Sequence, residues 1–296
     1  DKKSFFFNNK YIPDLDLNTN FKPQHSDIVF LALPHGISHK FVKKFYNKIK
    51  IIDLSADFRL DSENIYSDNY NLKHSCPELL SKFIYGLSEI NKDIIKINSR
   101  IAVPGCYPTS IVTPLIPLLK DNLIKTNNII IDSKSGYSGA GKKFDIKNIK
   151  NDKNYNFYNY NTNQHRHICE IYQELSKHSK NKINFSFNPH ILPIFRGMMS
   201  TIYCDMQDGF KINDLINTLK KFANRSQFVN YLQNHERADF FSIQNTNKLC
   251  IKLYKQPKNN KVIIVSLIDN LIKGAAGQAV QCFNIIYGFD EKIALI

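Results

Sequence analysis

The fold class this sequence predicts is an α/β unit on a parallel sheet, followed by an α+β unit in which helices cover a mixed or antiparallel sheet. Three observations carry that expectation. Residues 27–33 form a short, nearly continuous apolar run, and a helix-spaced segment then leads to a second apolar run at 51–54. Strand, helix and strand within about thirty residues make a βαβ unit, which implies parallel pairing. Beyond residue 128 several strand-like runs follow one another with few helices between them, the rhythm of an α+β arrangement. Finally, 296 residues with 43% hydrophobic content suffice for one very large domain or two.

Taken in order, residues 27–33 read as a strand buried on both faces. Pro34-His35-Gly36 breaks it, and residues 38–50 carry Phe41, Val42, Phe45 and Ile49 at helical spacing. A strand at 101–103 runs straight into Pro104-Gly105-Cys106, and residues 110–119 are helical. Pro114 and Pro117 should kink or divide that helix, because each removes a donor and crowds the preceding turn. Residues 128–133 form a strand before the glycine-rich run Gly136-Tyr137-Ser138-Gly139-Ala140-Gly141. Residues 145–163, rich in Asn, Lys and Tyr, read as a long surface loop. Helices are expected at 167–177 and 212–223, and strands at 183–187, 198–204, 248–254 and 261–268. A last amphipathic helix, 274–287, opens with the small residues Gly274, Ala275, Ala276 and Gly277, which allow close backbone approach.

Composition excludes several classes. The 43% hydrophobic and 22% charged content rules out global disorder. No apolar run approaches the roughly 18 residues of a membrane span, and the patch at Phe5-Phe6-Phe7 is too short for a signal-peptide core. We therefore expect a cytoplasmic protein without a membrane partner. The formal charge of +14 invites a nucleic-acid reading, but 34 of the 40 basic residues are scattered lysines amid abundant Asn and Ile. Arg-rich clusters and nucleic-acid modules are missing, so no nucleic-acid partner is expected. Cys76, Cys106, Cys169, Cys204, Cys250 and Cys282 form no C-x-x-C pair, against a zinc ribbon or thioredoxin motif. Most should be small core hydrophobes in a reducing compartment.

Cys106 is the exception. It follows a buried strand and opens a helix, where unpaired N–H groups should lower its pKa and could cradle an oxyanion. A buried structural cysteine in a tight turn is the equal alternative. His165-Arg166-His167, followed by Glu170, is the densest polar cluster, and the i, i+3 spacing lets Glu170 orient the His167 imidazole. A metal site would need further ligands that no compact set supplies. His190 at a strand end is a second candidate, and His35 beyond a parallel strand a third.

The run Val103-Pro104-Gly105-Cys106-Tyr107-Pro108-Thr109 resembles the active-site signature of the N-acetyl-gamma-glutamyl-phosphate reductase family. Agreement in order and spacing extends to residues 29–36, to Asp53-Leu54-Ser55-Ala56-Asp57-Phe58-Arg59 and to Tyr85-Gly86-Leu87-Ser88-Glu89. It continues through the run 135–142 that ends at Lys142, then 165–171, 189–197 and 269–279, nearly end to end.

The resemblance implies a Rossmann-type dinucleotide domain, residues 1–103 with 270–296, and a semialdehyde-dehydrogenase-like domain, 104–269, for catalysis and oligomerisation. It implies NADPH-dependent reduction of N-acetyl-glutamyl 5-phosphate to the 5-semialdehyde in arginine biosynthesis. Cys106 would carry a thioester, His165 would be the acid and base, and His190 the reserve. Arg59, Arg166 and Arg196 would hold the substrate's anionic groups. Pro34, His35, Gly36, Ser138, Gly139 and Ala140 would lie along NADP, with Asn270 reaching the nicotinamide amide. A homodimer or homotetramer is expected, and no metal. The family's glycine-rich turn is not found before Asp27. We expect the opening residues to be the tail of that unit, the parallel sheet to be split where its first strand belongs, and NADPH binding to be weak. Aspartate-semialdehyde dehydrogenase and a non-redox cysteine acyltransferase or hydrolase are the alternatives.

Overall fold

The computed structural model describes residues 5–7, 10–12, 24, 27–141, 144–149, 154–257 and 259–295. Most of the opening segment 1–26, Lys142 and part of the Asn-rich loop, 150–153, lie outside the described residues. Phe5–Phe7 (β1) and Lys10–Ile12 (β2) pair as a short antiparallel ribbon.

The first layer is a four-stranded parallel sheet in the order β3-β4-β6-β5, from Ile28–Leu31 (β3), Lys50–Asp53 (β4), Ile84–Tyr85 (β5) and Arg100–Ala102 (β6). Helix α1 (Ser38–Phe45) buries Val42 and Phe45 against this sheet, as the spacing predicts. Two expectations fail here. The sheet is not split: β4 and β6 pair directly through Ile51 with Arg100, Ile52 with Ile101 and Asp53 with Ala102. Nor is β3 buried on both faces, since it lies at the sheet edge and leaves Phe30 42% exposed. Helix α2 (Glu63–Tyr70) escapes a periodicity search because Tyr66 is its one buried residue, so it has no apolar stripe. Helix α3 (Ser88–Lys96) follows β5 directly.

The second layer is a seven-stranded sheet in the order β11-β12-β13-β10-β7-β9-β8. Its members are Ile129–Gly136 (β7), Tyr158–Asn159 (β8), Phe185–Leu192 (β9), Met198–Asp205 (β10), Val229–Tyr231 (β11), Leu249–Lys255 (β12) and Lys261–Ile268 (β13). The sheet is mixed: β7 with β9 and β11 with β12 are parallel, and the other pairs are antiparallel. Helix α4 (Cys106–Lys120) lies on β10 and β13 between α5 (His167–Lys177) and α6 (Ile212–Arg225).

Pro114 and Pro117 do not divide α4. Every residue from Tyr107 to Leu119 is buried, so packing on all sides outweighs a cost of about 3 kcal/mol per interior proline. The chain then leaves β13, makes a π-helical turn at Ile272–Ala276, and ends in α7 (Gly277–Tyr287), which packs against α3 and β4. Among the described residues no helix is long and apolar enough to cross a membrane.

Candidate active site

The short turn between β6 and α4 places Cys106 as the first residue of α4 with Gly105 as N-cap, at a cavity of about 340 Å3. His35, Leu54 and Val103 reach this cavity from beyond the carboxyl ends of β3, β4 and β6, where ligands of parallel sheets bind. His165, Arg166 and His167 close it from the turn into α5, and Arg59 and Tyr70 lie between. The lining is completed by Pro104, Tyr107, Asn270 and Leu271 and by the small residues Ser138, Gly139, Ala140, Gly141, Gly274 and Ala275. The structure thus brings together Cys106, both histidines of the cluster, two of the three arginines and most of the expected cofactor loop.

The cavity is poorly solvated, and that decides the charges. Burial pushes the Cys106 thiol up to about 11, against the lowering effect of the Tyr107 N–H and the Arg59 guanidinium. The expected lowering of this thiol is therefore reversed: the helix terminus favours the thiolate, and desolvation outweighs it. Burial, aided by Arg166, brings His165 down to about 4. His167 is held well below the ordinary imidazole range by burial and by its cationic neighbours. His35 also falls to about 4, from burial first and Arg166 second. At neutral pH the thiol and all three imidazoles are uncharged.

His165 stands edge-on to Tyr107, ring centroids 5.2 Å apart, and its Nδ1 accepts the His167 backbone N–H at 3.1 Å. His167 packs on Gly105, where a Cβ would come within 2.5 Å of its Nε2. Its Nδ1 is buried and has no hydrogen-bond partner among the described residues.

Several assignments are corrected by these contacts. Glu170 does not orient His167; its Oε1 accepts the Gly105 N–H at 2.9 Å and the Tyr85 hydroxyl at 2.8 Å, and its Oε2 meets Arg59 Nη1 at 3.4 Å. His190 does not reach the cavity. Phe187 faces Tyr107 and His165, and pleating turns His190, three residues along β9, to the opposite side of the sheet. There it meets Asp132 at 3.1 Å and stacks on Phe157. Arg196 is likewise outside the cavity lining, paired with Asp269 at 3.5 Å and bonded to Asn245.

Asn270 lines the cavity, but both ends of its amide are engaged: Nδ2 donates to Ser138 Oγ at 3.0 Å and Oδ1 accepts the Gly197 N–H at 2.8 Å. It shapes the Ser138 loop, and its second Nδ2 hydrogen and second Oδ1 lone pair have no partner among the described residues. Pro34 and Gly36 stand outside this lining, and Asp57 accepts the Gly36 N–H with both oxygens, at 2.9 and 3.1 Å. Asp57 and Tyr85 are the contributors that spacing alone did not mark. Both sit in runs that carry the family resemblance, which gives membership of a motif without a spatial role. Among the described residues, no group of three or more His, Cys, Asp or Glu could hold a metal ion.

The residues present fit a dinucleotide's nicotinamide end. From 138 to 141 and at 274–275 the lining bears nothing larger than hydroxymethyl or methyl groups, which suits the approach of a planar ring to the Cys106 cavity.

A parallel α/β layer, a mixed sheet under helices and a cysteine at the junction define a dinucleotide-dependent oxidoreductase of the semialdehyde dehydrogenase class. The profile described as semialdehyde dehydrogenase, NAD binding domain, matches residues 3–97, and that described as semialdehyde dehydrogenase, dimerisation domain, matches 106–270. The chain belongs to the N-acetyl-gamma-glutamyl-phosphate reductase family. It is 44% identical over 270 residues to the reductase of that name from Ehrlichia canis, covering 91% of this chain and 78% of that protein. It is 47% identical over 274 residues to the one from Caldicellulosiruptor bescii, covering 92% and 79%. Among solved structures, aspartate semialdehyde dehydrogenase II from Vibrio cholerae superposes with a TM-score of 0.73 at 15% identity, covering 97% of this chain and 87% of that one. The aspartate semialdehyde dehydrogenase with NADP from Candida albicans gives 0.60 at 14% identity, covering 90% and 78%. At such identities the likeness shows the fold alone.

Proposed function

We propose that this chain reduces N-acetyl-glutamyl 5-phosphate to N-acetyl-glutamate 5-semialdehyde, releasing phosphate, with Cys106 as the nucleophile. The observation that carries the reading is the position of Cys106 at the start of α4, in one cavity with three imidazoles and two guanidinium groups. Relatives bearing the reductase name support the substrate.

Arg59 and Arg166 hold the substrate's anionic groups. Cys106 Sγ attacks the acyl carbon, the carbon–oxygen bond to phosphate breaks, and a thioester remains on the sulfur. The thiol is neutral beforehand, so its proton needs an acceptor, and His167 is the ring with a nitrogen left free. His165 carries its proton on Nε2, an assignment from the bond its Nδ1 accepts. Its Nε2–H donates a hydrogen bond to the oxygen that gains charge as the thioester is reduced, and the proton that His167 took from the thiol returns to the sulfur when the thiohemiacetal collapses to the aldehyde. Bound NADPH supplies the hydride. Glu170 takes no proton in this scheme; it fixes the Gly105 turn and Arg59.

We assign residues 1–103 with 270–296 to the dinucleotide unit and 104–269 to the catalytic and oligomerisation unit, which the return of α7 onto β4 supports. The reading is of a cytoplasmic homodimer or homotetramer. The profile's description as a dimerisation domain supports association, and six free cysteines suit a reducing compartment.

The test is the reverse reaction. With N-acetyl-glutamate semialdehyde, phosphate and NADP+, the chain should generate NADPH absorbance only when phosphate is present, and Cys106→Ser should abolish it with the fold retained. No NADPH formation, or an equal rate with aspartate semialdehyde, overturns the substrate assignment.

A further inference from the structure

Away from the reacting groups, the interior holds a charged pair that the chemistry above does not use. Lys273 is 0% exposed and Glu89 1% exposed, with Nζ and Oε1 2.6 Å apart. Lys273 Nζ also donates to Gln281 Oε1 at 2.7 Å, and Gln281 Nε2 donates to Glu291 Oε2 at 2.8 Å. The cluster ties α3 to α7 and to the π-helical turn at Ile272–Ala276.

That turn is the cavity wall. Gly274 and Ala275 line the cavity, and a Cβ on Gly274 would stand 2.7 Å from Cys106 Cβ and 3.1 Å from its Cα. The backbone of the turn therefore rests directly on the start of α4, a contact only glycine permits. Its other end is fixed by Asp269, whose carboxylate accepts the Leu271 and Asn245 N–H groups at 2.8 and 2.7 Å. π-Helical turns recur at functional sites because the wider loop leaves its backbone free to be placed by neighbours. Here the residue next to Gly274 is Lys273, and its anchor is Glu89 on α3, an element of the parallel-sheet layer.

We infer that the Lys273–Glu89 ion pair is a positioning device that presses the Gly274 turn onto Cys106 and so sets the width of the cavity between thiol and cofactor wall. Neither Lys273 nor Glu89 lines the cavity, and the pair acts through Gly274. Without it the turn lifts from α4. The thiol becomes easier to reach, and the reacting groups lose the register that turnover needs.

The kinetic consequence rests on the reductase reading, whereas thiol access does not, so two readouts separate them. In Lys273→Met, alkylation of Cys106 by iodoacetamide without cofactor or substrate should rise several-fold relative to the buried Cys204, an estimate from the exposure dependence of thiol reactivity. At the same time kcat should fall by at least about tenfold with little change in KM for the semialdehyde. A lone buried carboxylate could prevent folding, so the paired variant Lys273→Met/Glu89→Leu, which leaves no unpaired charge, is measured alongside. It should show the same faster alkylation and lower kcat. Wild-type values of both in a folded variant overturn the inference. So does a parallel rise at Cys204, which would mark general loosening. If the wild-type chain shows no reductase activity, the functional reading fails, and the alkylation ratio still decides whether the pair holds the turn.

Discussion

Glu170 Oε1 accepts the backbone N–H of Gly105 at 2.9 Å, joining the first turns of α5 to the residue immediately before Cys106. The same carboxylate meets Arg59 and the Tyr85 hydroxyl, so one buried group holds the catalytic turn, a cavity arginine and the end of β5 together. Glu170 is 1% exposed, and its value lies in satisfying three donors that would otherwise be buried without a partner.

Glu170→Gln should therefore be destabilising. Glutamine can still accept from Gly105, but it leaves the Arg59 guanidinium unpaired in a buried site, a loss of about 3 kcal/mol. Urea unfolding measures this, and an unchanged midpoint with unchanged turnover would refute the role given to Glu170.

Gly105→Ala tests the close packing of His167. The added methyl would stand 2.5 Å from His167 Nε2 and 3.0 Å from Arg59 Nη1, so the imidazole has to move. We expect a stability loss of about 1–3 kcal/mol and a fall in kcat of about a hundredfold. Wild-type kcat would show that the His167 position is unimportant.

The two faces of the seven-stranded sheet separate His165 from His190. His165→Asn should slow turnover by about a hundredfold or more, the scale of losing one donor to a developing oxyanion. His190→Asn should leave kcat nearly unchanged. A larger effect at His190 would reverse the assignment.

Cys106 and Cys169 are the two cysteines that are not fully buried, and burial lifts their thiols to about 11 and about 12 respectively. Both thiols are protonated at neutral pH, so the alkylation rate of Cys106 should keep climbing between about pH 7 and about pH 9. A plateau in that interval would show a thiol already ionised, contrary to the desolvation argument. Peptide mass spectrometry after timed quenching reads both.

Acid should weaken the fold in a defined interval. His35, His165 and His178 are depressed to about 4, and His167 and His74 are also held below the ordinary imidazole range, each chiefly by burial. The unfolded chain takes up these protons first, so stability is lost as pH falls from the ordinary imidazole range toward about 4. Asp53 opposes this: burial raises it to about 6, so the folded state holds its proton where the unfolded state has released it. Glu174, raised by burial, acts in the same sense as Asp53, and two carboxyls against five imidazoles leave a net loss. A urea midpoint that stayed level or rose over that interval would contradict the balance.

Much of the fold is legible in the order of residues because its signals are local. The βαβ opening, the boundaries of α5 at His167–Lys177 and the strands expected at 198–204, 248–254 and 261–268 follow from apolar spacing alone, whereas the strand expected at 183–187 runs Phe185–Leu192. Elements without a stripe stayed silent: α2 buries only Tyr66, β5 has two residues and β11 three. Proline gave a misleading signal in α4, because a local rule cannot know that every side of that helix will be packed.

The sequence by itself determined the family and singled out Cys106 and the His165-Arg166-His167 cluster as candidates, since each depends on residue type and near-neighbour order. Only the tertiary structure decided which polar groups meet. Glu170 turned from His167 to Gly105, pleating carried His190 to the far face, and Arg196 was taken up by Asp269. It also reversed the expected acidity of Cys106, because a thiol's charge depends on the water its surroundings exclude, and that exclusion is the work of segments far apart in the chain.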